Sequence, residues 1–173
     1  MNKINVKKLG VHNKCVYFSE CGDWVSDGAW LLRKQHILKE AYFATGDTAM
    51  DYLGKTCTEH RVVNIEPSLG RCSLSDSVEM FKSRWSYHTS PEIRSVMLQS
   101  ETKNHRMIMN AVYLETIDPY GEWVWRWNGK HGNPLFACER GSTRIEAVVM
   151  QMQDDEQMWL ALELETKLRQ KAS

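Results

Sequence analysis

The chain has 173 residues, of which 22 are basic and 22 are acidic, so its formal net charge is zero. This length predicts one domain, or one domain with an extension. Apolar residues make up 42% of the chain and charged residues 25%, which is typical of a globular protein with a buried core. A neutral chain has no global field that would draw it to nucleic acid or to a membrane surface.

The five cysteines, an odd number, favour reduced thiols over a disulfide framework. The N-terminal segment MNKINVKKLG lacks the apolar stretch of a secretory signal, and no stretch of the chain has the length of a transmembrane helix. We therefore expect a cytoplasmic protein without membrane contact. The seven Trp and nine Met residues indicate a thick core, an exposed binding surface, or both.

Strands and one short helix are predicted in the first part of the chain. Segment 14–20 (KCVYFSE) is rich in β-branched and aromatic residues, and segment 24–33 carries Asp27-Gly28 between two apolar runs, which predicts a β-hairpin. Apolar side chains at helical spacing then predict a helix over 35–44.

The middle of the chain has weaker patterns. Segment 61–66 (RVVNIE) predicts a strand that ends at Pro67, and Ser75 and Ser77 are suitable N-caps for a helix over 78–85. The remaining segments are a predicted loop over 86–90, an element over 92–99 that fits either a helix or a strand, and a predicted turn over 100–105.

The last part has the clearest pattern. The predicted elements are a strand over 106–109, a helix over 111–117 capped by Asn110, and strands over 122–128, 134–139 and 144–152, in the order β, α, β, β, β. Segment 144–152 (RIEAVVMQM) holds four consecutive apolar residues, which predicts a strand buried on both faces. A C-terminal helix is predicted over 154–173.

Three short segments of this last part carry a family resemblance: Met109-Asn110-Ala111-Val112-Tyr113-Leu114, Asn133-Pro134-Leu135 and Ala147-Val148-Val149-Met150-Gln151-Met152. Residues 106–152 resemble the closing half of a domain of the bacterial sliding clamp, the processivity ring of DNA polymerase. The resemblance implies an α+β fold built from sliding-clamp-like β-α-β-β-β halves, without catalysis or a cofactor. We expect one clamp-like domain over 1–153 and a helical extension over 154–173. A ring also implies a homo-oligomer.

The resemblance implies two kinds of site. In sliding clamps the terminal strand helps to line an apolar groove for short partner peptides, and the matching positions here are Val148, Val149, Met150 and Met152. Clamps contact DNA through Lys and Arg on helices, and the candidates here are Lys82, Arg84 and Lys39. Because phosphate binding needs several cations acting together, the neutral charge predicts at most weak DNA contact.

A row of tryptophans is the most prominent candidate binding feature. Trp123, Trp125 and Trp127 alternate along a predicted strand and therefore share one face. Such a row can anchor a partner protein or stack bases, but a sheet also uses large side chains of this kind to cover helices. A partner-binding platform and a core row both remain open on the sequence.

One cysteine–histidine pair raises the question of zinc. Cys57 and His60 have Cys-x2-His spacing and Cys72 follows, but zinc needs four ligands and no second closely spaced pair completes the set. We predict no metal, with buried thiols as the simpler interpretation. No nucleophile-and-base motif or phosphate-binding loop is recognisable either, so we predict no enzymatic activity.

The leading functional hypothesis is a non-enzymatic, clamp-like protein that acts through protein contacts, and only weakly through DNA, around DNA replication. The alternative is a small phage or mobile-element effector that binds and inhibits a host protein through its Trp-rich and Met-rich surface.

Overall fold

The structure is a computed structural model, and it describes residues 3–4, 15–19, 22–26, 28–38, 50–52, 55–57, 59–91, 93–150 and 160. Strands dominate these residues. In chain order they are β1 (Cys15–Ser19), β2 (Trp24–Ser26), β3 (Trp30–Arg33), β4 (Met50–Tyr52), β5 (Lys55–Cys57), β6 (Glu59–Val63), β7 (Val78–Glu79), β8 (Phe81–Ser90), β9 (Ile93–Gln99), β10 (Arg106–Asn110), β11 (Trp123–Trp127), β12 (Leu135–Glu139) and β13 (Ile145–Val149).

The largest sheet has eight strands in the order β6-β1-β2-β3-β13-β12-β11-β7. All of its neighbouring strands are antiparallel except β1 and β6, which are parallel. A second sheet has three antiparallel strands in the order β10-β9-β8, and β4 pairs with β5 in a small hairpin.

Two short helices accompany the sheets in the described part of the chain. Helix α1 (Glu66–Leu69) is a single turn, and helix α2 (Ala111–Ile117) begins at Asn110, whose side chain accepts a hydrogen bond from the Val112 backbone amide. Two 3₁₀ turns span Lys34–His36 and Asp118–Tyr120. Within the described residues, no helix has the length and apolar character needed to cross a lipid bilayer.

The main hydrophobic core lies between one face of the eight-stranded sheet and a layer formed by α2 and the inner face of the three-stranded sheet. The alternation along each strand places every second side chain in this core. Its fully buried members include Trp30, Leu32, Val96, Leu98, Met107, Met109, Leu114, Ile117, Leu135, Ala147 and Val149. Because both sheets contribute to this one cluster, they form a single packing unit.

A second cluster covers the opposite face of the eight-stranded sheet. The side chains that point to this face are Trp24, Leu31, Phe136, Cys138 and Val148. The segment around α1 packs on them through Ile65, Leu69, Cys72 and Leu74. The eight-stranded sheet is therefore buried on both faces near β13, as the apolar run in the sequence predicts.

Several predicted elements are confirmed. Strands β2 and β3 pair antiparallel, as the hairpin predicted over 24–33 requires, and Gly28 has the positive φ (98°) that favours glycine at a turn. The ambiguous segment 92–99 forms strand β9. Residues 106–149 follow the predicted order of strand, helix and three strands, with Asn110 as the helix cap.

The helix predicted over 78–85 is wrong, because these residues form β7 and the start of β8, and β8 continues through the predicted loop over 86–90. The expected cap residue Ser77 instead donates its hydroxyl hydrogen to the Leu74 carbonyl and accepts a hydrogen bond from Arg126. Trp85 and Tyr87 stack on one face of β8, which is the two-residue period of a strand. Pairing with β9 therefore overrides the local helix signal.

Residues 35–38, the start of the helix predicted over 35–44, do not form an α-helix. Residues 34–36 form a 3₁₀ turn, and Ile37 then pairs with Ile4 in a parallel bridge. The Ile4 amide donates to the His36 carbonyl at 2.7 Å, and the Leu38 amide donates to the Ile4 carbonyl at 3.0 Å. These bonds hold the chain in an extended conformation. The rest of this predicted helix, and the C-terminal helix apart from Leu160, lie outside the described residues.

Candidate functional site

An apolar pocket of about 230 Å³ opens beside the end of strand β13. Its floor consists of three side chains that are at least nine-tenths buried: Leu31 of β3, Val148 of β13 and Ile65, which precedes α1. Its rim is formed by half-buried or exposed residues, among them Met150, Asn64 and Ser68. We call this the β13 pocket. An apolar cavity of about 150 Å³ is enough to hold benzene, so this pocket has room for one apolar side chain.

The strand pairing places Val148 and Met150 at the pocket. Val148 lies opposite Leu31 in the antiparallel register of β13 and β3, so both side chains point to the same face. The Met150 amide donates to the Ala29 carbonyl at 2.8 Å, which extends the pairing past the end of β13. Met150 therefore sits on a fixed backbone at the pocket rim.

The opposite wall of the pocket depends on the start of α1. The Asn64 side chain accepts a hydrogen bond from the Glu66 amide at 2.9 Å, and Pro67 lies in the first turn, where it needs no amide hydrogen. This local geometry aims Ile65 at the sheet and leaves Asn64 and Ser68 at the rim. The wall thus combines an apolar floor with polar groups at its edge, as small binding sites commonly do.

A buried charge cluster ties β3 to β13 at the other end of the same strand pair. The register of β12 and β13 shifts at Ala137/Cys138, which leaves Glu146 as the extra residue of a β-bulge. Glu146 is only 4% exposed. Its carboxylate lies 2.7 Å from His36 Nε2, 3.5 Å from Arg33 Nε and 3.3 Å from Arg144 Nε.

The surroundings of this cluster hold its cations in place. The Arg33 guanidinium lies 4.5 Å from the centre of the Trp24 ring and donates through Nε to the Ile145 carbonyl. Gln35 donates to the Glu146 carboxylate at 3.1 Å. With this many donors, the buried carboxylate is compensated, and the cluster fixes how β3 and β13 meet.

Two of the four residues predicted for the groove line the β13 pocket. These are Val148 and Met150, which lie two residues apart and therefore point to the same face. Val149 points to the opposite face and is fully buried in the main core, so it does not line the β13 pocket. Met152 lies outside the described residues.

The tryptophan row belongs to the core and not to an exposed platform. Trp125 is 6% exposed and Trp127 is 5% exposed, while Trp123 is half-buried and packs on the same cluster. Each indole nitrogen donates within the protein: Trp123 to the Ile117 carbonyl, Trp125 to the Asp118 carboxylate and Trp127 to the Asn133 carbonyl. Trp125 and Trp127 therefore leave little exposed surface for a partner.

Asp118 illustrates how this row influences a neighbouring charge. Partial burial raises the pKa of the Asp118 carboxyl above its usual range, and the hydrogen bond from Trp125 and the charge of Lys82 lower the pKa in part. The hydrogen bond, 2.6 Å between Trp125 Nε1 and Asp118 Oδ1, anchors the end of α2 to β11.

Two of the predicted DNA-binding residues, Lys82 and Arg84, lie on strand β8 and not on a helix. Lys39 lies outside the described residues. Lys82 Nζ is 3.7 Å from a Glu115 carboxylate oxygen, and Arg94 binds the same oxygen. Since this acidic residue of α2 partly neutralises both cations, the structure offers little support for a phosphate-binding helix.

Among the zinc candidates, Cys72 belongs to the described structure, whereas the side chains of Cys57 and His60 lie outside the described residues. Cys72 is a buried free thiol whose Sγ donates to the Ser68 carbonyl. Burial raises the pKa of this thiol to about 11, which disfavours the thiolate form that binds metals. Among the described residues, no three His, Cys, Asp or Glu side chains converge as metal ligands.

Most of the β13 pocket was not predicted from the sequence. Leu31, Ile65 and Ser68 come from segments that carry no motif, and they meet Val148 only because the strand order places β3 beside β13. The one available signal was the apolar run of β13 itself.

Comparisons of this chain with protein-family models, with curated proteins and with solved structures give no match.

Proposed function

We propose that this chain is a non-enzymatic α+β protein that binds a short segment of a partner protein, with one apolar side chain of that segment seated in the β13 pocket. The resemblance of residues 106–152 to sliding clamps supports a role around DNA replication. In this proposal the halves of the molecule are clamp-like, and the terminal strand serves the same purpose as the terminal strand of a clamp.

The observation that carries the proposal is the position of the pocket. It opens beside the end of β13, and two of the four residues predicted for the groove, Val148 and Met150, line it. An apolar floor with polar groups at the rim suits an anchor side chain whose own backbone needs hydrogen-bond partners. Asn64 and Ser68 are placed to supply such partners.

The order of elements gives further support. Strand β10, helix α2 and strands β11, β12 and β13 follow one another as the resemblance requires, and β11, β12 and β13 form a continuous antiparallel meander. β10 lies in the three-stranded sheet, and α2 packs beside that sheet against the main core.

The test uses capped amino acids as probes of the pocket. We expect N-acetyl-leucine amide and N-acetyl-phenylalanine amide to shift the methyl NMR signals of Leu31, Ile65, Val148 and Met150 in a saturable way, with affinities on the order of millimolar for such small ligands. N-acetyl-glycine amide, which lacks the anchor, should leave these signals in place.

Matched variants locate the binding. Met150→Ser removes the apolar rim without touching the buried floor and should abolish the shifts of Leu31 and Val148. Ile93→Ser is the control, because Ile93 is an apolar residue that is 37% exposed on β9 and does not line the pocket. If Met150→Ser binds the probes as the unmodified chain does, or if both variants lose binding equally, the pocket is not the binding site.

The effector alternative loses part of its basis. It relied on exposed tryptophans and methionines as anchors, whereas Trp125, Trp127, Met107 and Met109 are buried. Met150 remains as a partly exposed methionine, and it belongs to the pocket already proposed.

A further inference from the structure

A second cavity, of about 370 Å³, lies where the chain passes from the eight-stranded sheet to the three-stranded sheet. Glu79 of β7 and Phe81 of β8 flank it on one side, Glu101 and Thr102 of the turn between β9 and β10 on another, and Arg126 of β11 completes it. It shares no lining residue with the β13 pocket. We call it the Phe81 cavity.

The aromatic wall of this cavity is unusually exposed. The Phe81 side chain is 46% exposed, whereas Trp85 on the same strand is 6% exposed. A ligand that covered this half-exposed side chain would remove apolar surface from water, which lowers the free energy. Phe81 thus offers aromatic surface to a ligand that enters the cavity.

The charges of the cavity are unbalanced. Arg126 is held by Ser77, since its Nε donates to the Ser77 hydroxyl at 3.0 Å and its Nη2 donates to the Ser77 carbonyl at 2.7 Å. Among the contacts of the described residues, neither Glu79 nor Glu101 forms an ion pair. Two carboxylates against one immobilised guanidinium leave the cavity with a net negative charge.

Three other glutamates of the described chain have charged or histidine partners. Glu115 binds Arg94, Glu122 faces Arg140 and Glu146 lies among three cationic or histidine side chains. Glu79 and Glu101 form no such ion pair within the described residues, and Glu79 lies opposite Arg126 in the register of β7 and β11.

We propose that the Phe81 cavity is a docking site for an arginine side chain of a partner protein. A guanidinium is planar and weakly hydrated, so it can stack on the Phe81 ring while its edges donate paired hydrogen bonds to a carboxylate. The cation–π contact and the ion pair act together in this geometry. A lysine ammonium is a more strongly hydrated point charge and gains less from the ring.

The experiment uses the full chain and capped tripeptides with a central arginine, lysine or citrulline between two alanines. Citrulline has nearly the shape of arginine without its charge. We expect the arginine peptide to shift the Phe81 ring signals in NMR titrations, and the citrulline peptide to bind about tenfold more weakly. Added salt should weaken the binding of the arginine peptide and leave the binding of the citrulline peptide unchanged.

Three variants test the assignment. Phe81→Leu keeps an apolar side chain but removes the ring face, and the double variant Glu79→Gln with Glu101→Gln removes the charge; each should reduce the affinity for the arginine peptide about threefold to tenfold. Glu122→Gln is the matched control, because this carboxylate is 84% exposed and lies away from the cavity. Citrulline binding equal to arginine, or unchanged affinity in both test variants, would overturn the proposal.

Discussion

At the scale of single residues, Glu146 is the clearest case of a side chain that needs its partners. A buried carboxylate is stable only when nearby charges and donors replace the water it has lost. Here His36, Arg33 and Arg144 lie within 3.5 Å of it, and Gln35 donates a further hydrogen bond. The β-bulge at Glu146 brings the carboxylate to this group.

We predict that Glu146→Ala lowers the free energy of unfolding by about 3 kcal/mol, because it removes the buried carboxylate that Arg33, His36 and Gln35 contact. Chemical denaturation followed by tryptophan fluorescence measures this loss. Glu122→Ala is the control, since Glu122 forms an exposed pair with Arg140 at 3.8 Å and should change stability by less than about 1 kcal/mol. Equal effects of the two substitutions would mean that the cluster around Glu146 contributes no special stability.

At the scale of elements, α2 shows how a short helix is held in place. It has seven residues, too few to be stable alone. Its buried residues Tyr113, Leu114 and Ile117 join the main core, and Asn110 satisfies the Val112 amide at 3.0 Å. Core packing and the N-cap together stabilise this helix.

We predict that Asn110→Ala lowers the free energy of unfolding by about 1 kcal/mol, because the Val112 amide loses its hydrogen-bond acceptor. Asn110→Asp keeps an acceptor at the same place, and its charge lies at the favourable end of the helix, so it should stay close to the unmodified chain. Urea denaturation curves of the three proteins provide the measurement. If Asn110→Asp is as unstable as Asn110→Ala, the cap is not the reason for the loss.

Strand β8 is a long edge strand with features that prevent edge-to-edge association. It has ten residues and pairs only with β9 in the three-stranded sheet, so its outer edge has no partner strand in the described structure. Its pairing with β9 shifts register between Lys82 and Ser86 and again between His88 and Ser90. Bulges and exposed basic residues such as Arg84 are the features with which proteins prevent edge-to-edge association.

At the scale of the whole molecule, the two larger sheets share one core. Met107 of β10 and Leu135 of β12 belong to different sheets, yet both are fully buried in the same cluster. Neither sheet can lose its inner face without exposing apolar surface of the other. The sheets should therefore unfold together.

We predict that Met107→Ala and Leu135→Ala each lower the free energy of unfolding by about 2–5 kcal/mol and each shift the same single transition. Far-ultraviolet circular dichroism and tryptophan fluorescence should give coincident urea curves for each variant. Arg106→Ala, at an exposed position beside Met107, should change stability by only about 0.5 kcal/mol. A second transition that appears in only one of the two core variants would show that the sheets unfold separately.

Local chemistry explains which parts of the fold were predictable. The Asp27-Gly28 turn, the Asn110 cap and the alternation of Trp123, Trp125 and Trp127 depend on neighbours within a few residues, and the structure confirms the elements they predict. The segments over 35–38 and 78–90 were predicted incorrectly because their conformation depends on distant partners, Ile4 in one case and strand β9 in the other.

The candidate site also has a part that local sequence predicts and a part that depends on distant contacts. The sequence alone determined that the apolar run of β13 is a strand buried on both faces, because four consecutive apolar residues leave no polar face. Only the tertiary structure decided that Val148 and Met150 meet Leu31 and Ile65 to form a pocket, that Val149 and the tryptophans turn into the core, and that Glu79, Phe81 and Glu101 share a cavity. The physical reason is that strand order and sheet packing join residues far apart in the chain, and no local pattern encodes which distant segments will meet.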